Sequence, residues 1–264
     1  MAAPWFEDEI AAAVASRLPE LAVEVVAEID STSSELMRRA RDGRCAPVLL
    51  VAERQTAGRG RMGRPWQSAQ DRGEPASLTF SLGLPLMPRD WSGLSLAVGV
   101  SVAESLDPSK AGRISLKWPN DLWVDDRKLG GILIETALPQ NGTAERYLVI
   151  GIGLNIGPRE AEGLSTAPAW IQQWRPSASA PELLREIVVP LVEHVLLFGD
   201  RGFVPFAERF AERDILRGRE VQLSDGTVGR CEGVGWGGEL LLQTASGMKT
   251  ITSAEVSVRP RPAQ

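Results

Sequence analysis

Apolar residues recur at helical spacing over residues 5–18, a run closed by Pro19, and then alternate with other side chains over residues 22–29 in a valine-rich stretch. The first pattern predicts an amphipathic helix and the second a strand. In the turn that follows, Asp30-Ser31-Thr32-Ser33-Ser34-Glu35, Thr32 and Glu35 have the spacing of a capping box. A helix is therefore expected from this turn through Arg41, with the hydroxyls at the strand-to-helix junction. Residues 47–53 are a short apolar run of strand type that leads into a Gly/Arg-rich segment at 55–66. A strand is expected at 78–84, and a helix at 93–106 that is apolar nearly all round and hence buried. Residues 115–118, 122–124, 131–135 and 147–154 read as further strands, with turns at Pro119-Asn120-Asp121 and Asp125-Asp126. Strands that follow one another without alternating helices predict an α+β fold, a mixed or antiparallel sheet with packed helices, over a doubly wound parallel sheet.

Residues 157–180, rich in Pro, Ser and Ala, read as a long loop, and helices are expected at 182–198 and 204–213. Beyond Arg217 the pattern changes to short strands at 220–223, 227–234, 239–243, 249–252 and 256–258, separated by Asp225-Gly226, Gly237-Gly238 and Ser246-Gly247. This predicts a small β-barrel, residues 215–264, appended to a main domain, residues 1–214. A chain of 264 residues has room for one large and one small domain.

Composition narrows the function classes. The net charge of −5 disfavours a protein that coats nucleic acid or anionic membrane through bulk charge, so any phosphate-seeking surface must be local. Cys45 and Cys231 are far apart and in no CxxC arrangement, which points to neither a disulfide framework nor a zinc site and fits a reducing cytoplasm. The single histidine, His194, lies in an amphipathic run and reads as a partly buried helix residue, which argues against histidine catalysis. The N-terminus carries Glu7, Asp8 and Glu9 in place of a basic leader, and no apolar run reaches the roughly 20 residues needed to span a bilayer.

Three segments carry chemistry. In Gly58-Arg59-Gly60-Arg61-Met62-Gly63-Arg64 the glycines free the backbone to wrap a ligand, and the arginines supply forked, permanent cations for carboxylate or phosphate. A solvated basic loop or an RNA-touching tract is the alternative. A Walker A loop is excluded, because its motif occurs nowhere. In Lys117-Trp118-Pro119-Asn120-Asp121 and Lys128-Leu129-Gly130-Gly131, a turn presents an amide and a carboxylate, and a short hairpin returns Lys128 beside them. That lysine is either one half of a surface pair or a point charge held for a phosphate. Gly151-Ile152-Gly153-Leu154-Asn155 lacks the Rossmann spacing and reads as a strand lining a ligand cleft, with the asparagine facing a polar edge.

Taken in order, Ser31-Thr32-Ser33, Gln55, GRGRMGR with Trp66, KWPND, KLGGILIE and GIGLN resemble the biotin protein ligases over residues 28 to 157, and more weakly beyond. The resemblance implies a catalytic domain related to class II aminoacyl-tRNA synthetases and lipoate ligases, followed by an SH3-like barrel. It implies an ATP-dependent ligase in which biotin is activated as biotinyl-5′-AMP and passed to a lysine of a biotin carboxyl carrier domain of acyl-CoA carboxylases, with ATP, biotin and Mg2+ required. By the same resemblance Arg59 and Arg61 bracket the biotin tail and α-phosphate, and Lys128 meets the charge that builds in the transition state. Ser31, Thr32, Ser33 and Gln55 pair the ureido ring, while Gly58, Gly131 and Gly151 allow close backbone contact. Arg64, Trp66, Asn120, Asn155 and Trp170 lie near the nucleotide, Trp170 as a stacking face for adenine, and Arg259 reaches the ATP phosphates. Asp121 orients Lys128 or holds magnesium through water; the metal ligands are otherwise unassigned.

Met62 departs from the family, where a further arginine can stand. A lipoate ligase is the nearest rival reading, and a nucleic-acid-binding regulator is a rival from another class. Only one helix and one strand precede residue 28, too little for a winged helix-turn-helix, so a ligase without DNA-binding repression is expected.

Overall fold

The computed structural model describes residues 5–71, 74–109, 113–138, 145–159, 166–252 and 258–260. Helix α1 (Glu7–Val14) precedes β1 (Ala22–Ile29), α2 (Thr32–Arg41) and β2 (Val48–Gln55). An arm follows, in which β3 (Gly58–Arg59) pairs with β4 (Pro65–Trp66), and then a second short pair, β5 (Gln70–Asp71) with β6 (Glu74–Pro75). The centre of the chain is β7 (Ser77–Leu86), α3 (Leu94–Leu106), β8 (Ser115–Lys117), β9 (Asp121–Val124), β10 (Arg127–Ala137) and β11 (Arg146–Asn155). Helices α4 (Ala180–Arg201) and α5 (Ala207–Ala211) lead to β12 (Glu220–Leu223), β13 (Val228–Val234), β14 (Leu240–Thr244), β15 (Gly247–Ile251) and β16 (Val258–Pro260).

Seven strands form one mixed sheet in the order β1-β2-β7-β11-β10-β9-β8. Only β1 and β2 run parallel, because α2 supplies the crossover between them; the remaining pairs are antiparallel. Alternation along the strands gives the sheet two unlike faces. Leu78, Phe80, Leu82 and Leu84 of β7 and Leu148, Ile150, Ile152 and Leu154 of β11 enter the main core with α3 and α4. The intervening Ser77, Thr79, Ser81 and Gly83, with Gly151, Gly153 and Asn155, face the other way, toward the side where α2 packs in its own smaller cluster. The five C-terminal strands form a second, antiparallel sheet, β15-β14-β13-β12-β16. The fully buried Trp118 fastens it to the first by donating its indole N–H to the Gly238 carbonyl at 3.0 Å.

The α+β expectation is met, and several bounds move. The first helix ends at Val14, and its expected last turn is a set of turns. The helix expected at 204–213 is a 3-10 turn, Val204–Phe206, followed by the five residues of α5. Residues 166–180 contain a 3-10 turn at Ile171–Gln173 and a bridge from Pro168 to Lys128, because the free backbone of Lys128 at the start of β10 recruits them. Residues 256 and 257 of the last expected strand lie outside the described residues, and Val258 begins β16.

Candidate active site

The polar face of the sheet, α2, the arm and β16 enclose a cavity of about 300 Å³. Its floor is built from glycine. A Cβ on Gly151 would collide with the Ser33 hydroxyl, one on Gly153 would lie 2.5 Å from the Trp66 indole, and one on Gly131 would meet nothing closer than Lys128 Nζ at 3.4 Å. The glycines at 151 and 153 thus let Ser33 and Trp66 close directly onto the strand, while Gly131 keeps the space before Lys128 open. From Gly151 to Asn155, four residues at roughly 3.3 Å each make a groove floor about 13 Å long.

One end of this groove is uncharged and rich in hydroxyls. Ser31, in extended conformation, caps α2 by accepting the Ser34 N–H at 3.3 Å. This corrects the capping-box expectation: Thr32 already belongs to the helix, and Glu35 pairs with Arg38 and Arg39. Freed from capping, Thr32 donates its backbone N–H at 2.8 Å and its hydroxyl at 3.2 Å to Gln55 Oε1, and its hydroxyl lies 2.8 Å from that of Ser81. Ser33 and Ser81 hydroxyls are 2.9 Å apart. Gln55 Oε1 is fully used, which leaves its amide nitrogen as the donor at this end.

The middle is cationic. The β9–β10 hairpin sets Lys128 Nζ 2.7 Å from Asp121 Oδ1, and Lys117 Nζ lies 4.0 Å from Asp121 Oδ2 and 5.0 Å from the Trp123 ring centroid. Lys117 is only 8% exposed, and this burial pulls its pKa below the ordinary value; Asp121 opposes the shift, and Lys128, Arg64 and Arg259 reinforce it. Burial also lowers the pKa of Arg61, against the attraction of Asp121, and Arg61 donates to Asn120 Oδ1 at 3.4 Å. Asn120 in turn donates to the Ile132 carbonyl at 2.7 Å, which fixes the turn onto β10. Among the described lining residues Arg59, Arg61, Arg64, Lys117, Lys128, Arg159 and Arg259 face a single acid, Asp121. That imbalance, on a chain of net charge −5, marks a site for an anion.

At the far end Asn155, 3% exposed, donates to the Ala169 carbonyl at 2.9 Å and to the Lys128 carbonyl at 3.2 Å. The Trp66 indole lies over Gly153, and β16 brings Val258 and Arg259 into the wall.

The structure therefore gathers Ser31, Thr32, Ser33, Gln55, Arg59, Arg61, Arg64, Trp66, Asn120, Asp121, Lys128, Gly131, Gly151, Asn155 and Arg259 around one cavity. Two of the expected site residues are not in its wall. Trp170 is half-buried and opens the 3-10 turn at Ile171, and Gly58 lies within the arm's own ladder, where a Cβ would lie 2.5 Å from the Trp66 carbonyl oxygen. Arg59 lies on the rim and is engaged with Glu135 at 2.8 Å and the Ser34 hydroxyl at 2.8 Å. Sequence reasoning passed over Lys117 and Arg159. Lys117 could have been found from its place four residues before Asp121; Arg159, beyond a proline and outside any motif, gave no signal.

Residues 28–155 match the Biotin/lipoate A/B protein ligase family. The chain is 34% identical over 249 residues to the bifunctional ligase/repressor BirA of Salmonella typhimurium, covering 92% of this chain and 76% of that protein. It is 35% identical over 182 residues to a biotin–[acetyl-CoA-carboxylase] ligase of Mycobacterium tuberculosis, covering 65% of this chain and 64% of that protein. Among solved structures, the biotin protein ligase from Aquifex aeolicus in complex with biotin and ATP is similar with a TM-score of 0.75 at 29% identity, over 90% of this chain and 99% of that one.

Proposed function

The chain belongs to the biotin protein ligase family, and on that premise we propose that it activates biotin with ATP and transfers it to a lysine of a biotin carboxyl carrier domain of acyl-CoA carboxylases. The observation that carries this reading is the polarity of the groove: an uncharged hydroxyl and amide end at Thr32, Ser33 and Gln55 leads to a cationic middle at Lys128, Lys117 and Arg61. A cyclic urea needs fixed donors and acceptors in a site closed to water, and the carboxylate at the other end of the molecule needs cations.

In the first step a carboxylate oxygen attacks the α-phosphorus, the new O–P bond forms, and the bond to pyrophosphate breaks. Two unit negative charges 4 Å apart repel by about 4 kcal/mol at an effective dielectric near 20, so the approach depends on cations already in place. Lys128, Lys117 and Arg61 are held there by Asp121, Trp123 and Asn120 before any substrate arrives, and such preorganised charge acts most strongly where negative charge builds. In the second step a carrier lysine amine attacks the acyl carbon, an amide forms, AMP leaves, and the amine loses a proton. Asp121, the one acid of the described wall, is the group we assign to receive it.

Magnesium enters as part of the nucleotide substrate, MgATP. Among the described residues no cluster of three or more His, Cys, Asp or Glu side chains is placed to hold a metal. Among them, too, no helix is long and apolar enough to cross a membrane. A cytoplasmic setting accords with the need for ATP and with two free cysteines.

The test is pyrophosphate release from MgATP in the presence of biotin or lipoate, with mass spectrometry of the bound product. Biotin-dependent release and a retained adenylate are expected. Release with lipoate alone would assign the fold's other acid as substrate, and salt-sensitive nucleic-acid binding without turnover would overturn the ligase reading altogether.

A further inference from the structure

Among the described residues Arg159 is a cation held by neutral partners. Its Nη1 donates to Asn155 Oδ1 at 2.5 Å, its Nη2 donates to the Gln67 carbonyl at 2.6 Å, and its guanidinium carbon lies 5.4 Å from the Trp66 ring centroid. Among the described residues no carboxylate pairs with it. Burial pulls its pKa down. A guanidinium carries five N–H donors, so these two bonds leave three, and it lines the cavity at the Asn155 end.

A half-buried charge held in place by neutral partners alone is destabilising, and a neutral side chain would brace the arm at lower cost. The charge is accounted for when an anion completes it. Strand geometry says which anion. The hydroxyl end at Ser33 lies beside Gly151, the Lys128 ammonium lies over Gly131 in register with Gly153, and Asn155 is two residues farther along β11. Along this line the acid's carboxylate reaches Lys128, and the group beyond it is the nucleotide. We propose that Arg159 is a further nucleotide-binding residue, which meets a phosphate oxygen of ATP while its fork ties Trp66 and Gln67 to the end of β11. This rests on the ligase reading above.

The full chain and the variants Arg159→Ala and Arg159→Lys test it. KM for ATP and KM for biotin are measured by pyrophosphate release, and the rise in melting temperature on adding MgATP alone is measured beside them. Arg159→Ala is expected to raise KM for ATP about tenfold or more while leaving KM for biotin within about twofold, as fits the loss of one charge-assisted contact. Arg159→Lys, which keeps the charge and loses the fork, is expected to fall between the parent and the alanine variant. The proposal is overturned if KM for ATP is unchanged, if both KM values rise together, or if lysine is no better than alanine, since a brace alone needs the fork and not the charge. Should Arg159→Ala fail to fold, Arg159→Lys against the parent decides on the same readouts. If the parent shows no biotin-dependent turnover, the ligase reading falls by itself. The Arg159 contact is then judged from MgATP stabilisation, which Arg159→Ala must lose and Arg159→Lys must keep in part.

Discussion

At the scale of single residues the site depends on a few side chains that are absent and a few charges that are fixed. Gly151 has no Cβ because the Ser33 hydroxyl occupies that space. Gly151→Ala must therefore push Ser33 away from Ser81, which breaks the hydroxyl set at the neutral end. Overpacking of this kind costs about 1–3 kcal/mol, so a lower melting temperature and a raised KM for biotin with little change in kcat are expected. An unchanged KM would remove Ser33 from the biotin end. Lys128 is the opposite case, a present charge with a specific partner. Lys128→Ala is expected to cut adenylate formation by about a hundredfold or more, the usual effect of removing one preorganised donor, with the circular dichroism spectrum intact. Near-normal turnover would exclude Lys128 from the chemistry. Lys128 and Asp121 were legible in the sequence because a hairpin of known length fixes where both point. Thr32 was misread as a capping residue, since Ser31 and Thr32 are equally good caps by composition and only the helix start tells them apart. Arg159 was invisible because its partners, Asn155 and the Gln67 carbonyl, are defined by folding and by no spacing.

At the scale of elements, the strand pattern was the legible part. The alternation GIGLN in β11 places Ile152 and Leu154 in the core and Gly153 and Asn155 in the groove, as the two-residue period requires. The arm was legible as a Gly/Arg-rich segment but not as a structure. Its two-residue ladder, the left-handed backbone of Met62 at φ 56° and its attachments arise only against α2 and β10. Arg59 joins the arm to Ser34 of α2 and to Glu135 of β10, while Arg61 joins it to Asn120 in the groove. The Arg59–Glu135 pair is partly exposed, and such pairs contribute under about 1 kcal/mol. Glu135→Gln is thus expected to raise the release of free biotinyl-AMP by no more than about fivefold. Arg61→Gly, which removes a half-buried cation from the middle of the groove, is expected to release far more, seen as promiscuous labelling of bystander lysines. If Glu135→Gln leaked as much as Arg61→Gly, the arm would be held from its rim and not from within the cavity.

At the scale of the whole molecule, the two sheets meet where the chain passes from α5 to β12, and the site depends on that joint because β16 delivers Val258 and Arg259 to the cavity. Asp214 lies in the joint. The Leu116 N–H donates to the Arg213 carbonyl, the Ile215 N–H donates to the Leu116 carbonyl, and Asp214 Oδ1 accepts the Leu216 N–H at 2.9 Å. Its Oδ2 is buried without a hydrogen-bond partner among the described residues. Burial raises its pKa from 3.8 to about 6, opposed by the backbone N–H groups of Leu216 and Arg217 and by the Arg217 charge. The Cys231 thiol beside it is pushed up to about 12, by burial first and by Asp214 next. The sign follows from proton counting. Between pH 4 and 6 the folded protein keeps a proton that the unfolded chain has lost, so stability from this group is present at low pH and is lost as pH rises through about 6. A shift of about two units corresponds to roughly 3 kcal/mol at most. Asp30, Glu35 and Glu104 have lowered pKa values from their arginine partners and act in the opposite sense, so the stability curve of the parent alone mixes both trends. Asp214→Asn separates them, because asparagine keeps the acceptor for Leu216 and does not titrate. The difference in unfolding free energy, variant minus parent, is expected to increase by up to about 3 kcal/mol from pH 4 to pH 7 and then to level off, measured by urea denaturation across that range. A difference that stays flat, or that falls as pH rises, would show that Asp214 is not held protonated in the joint.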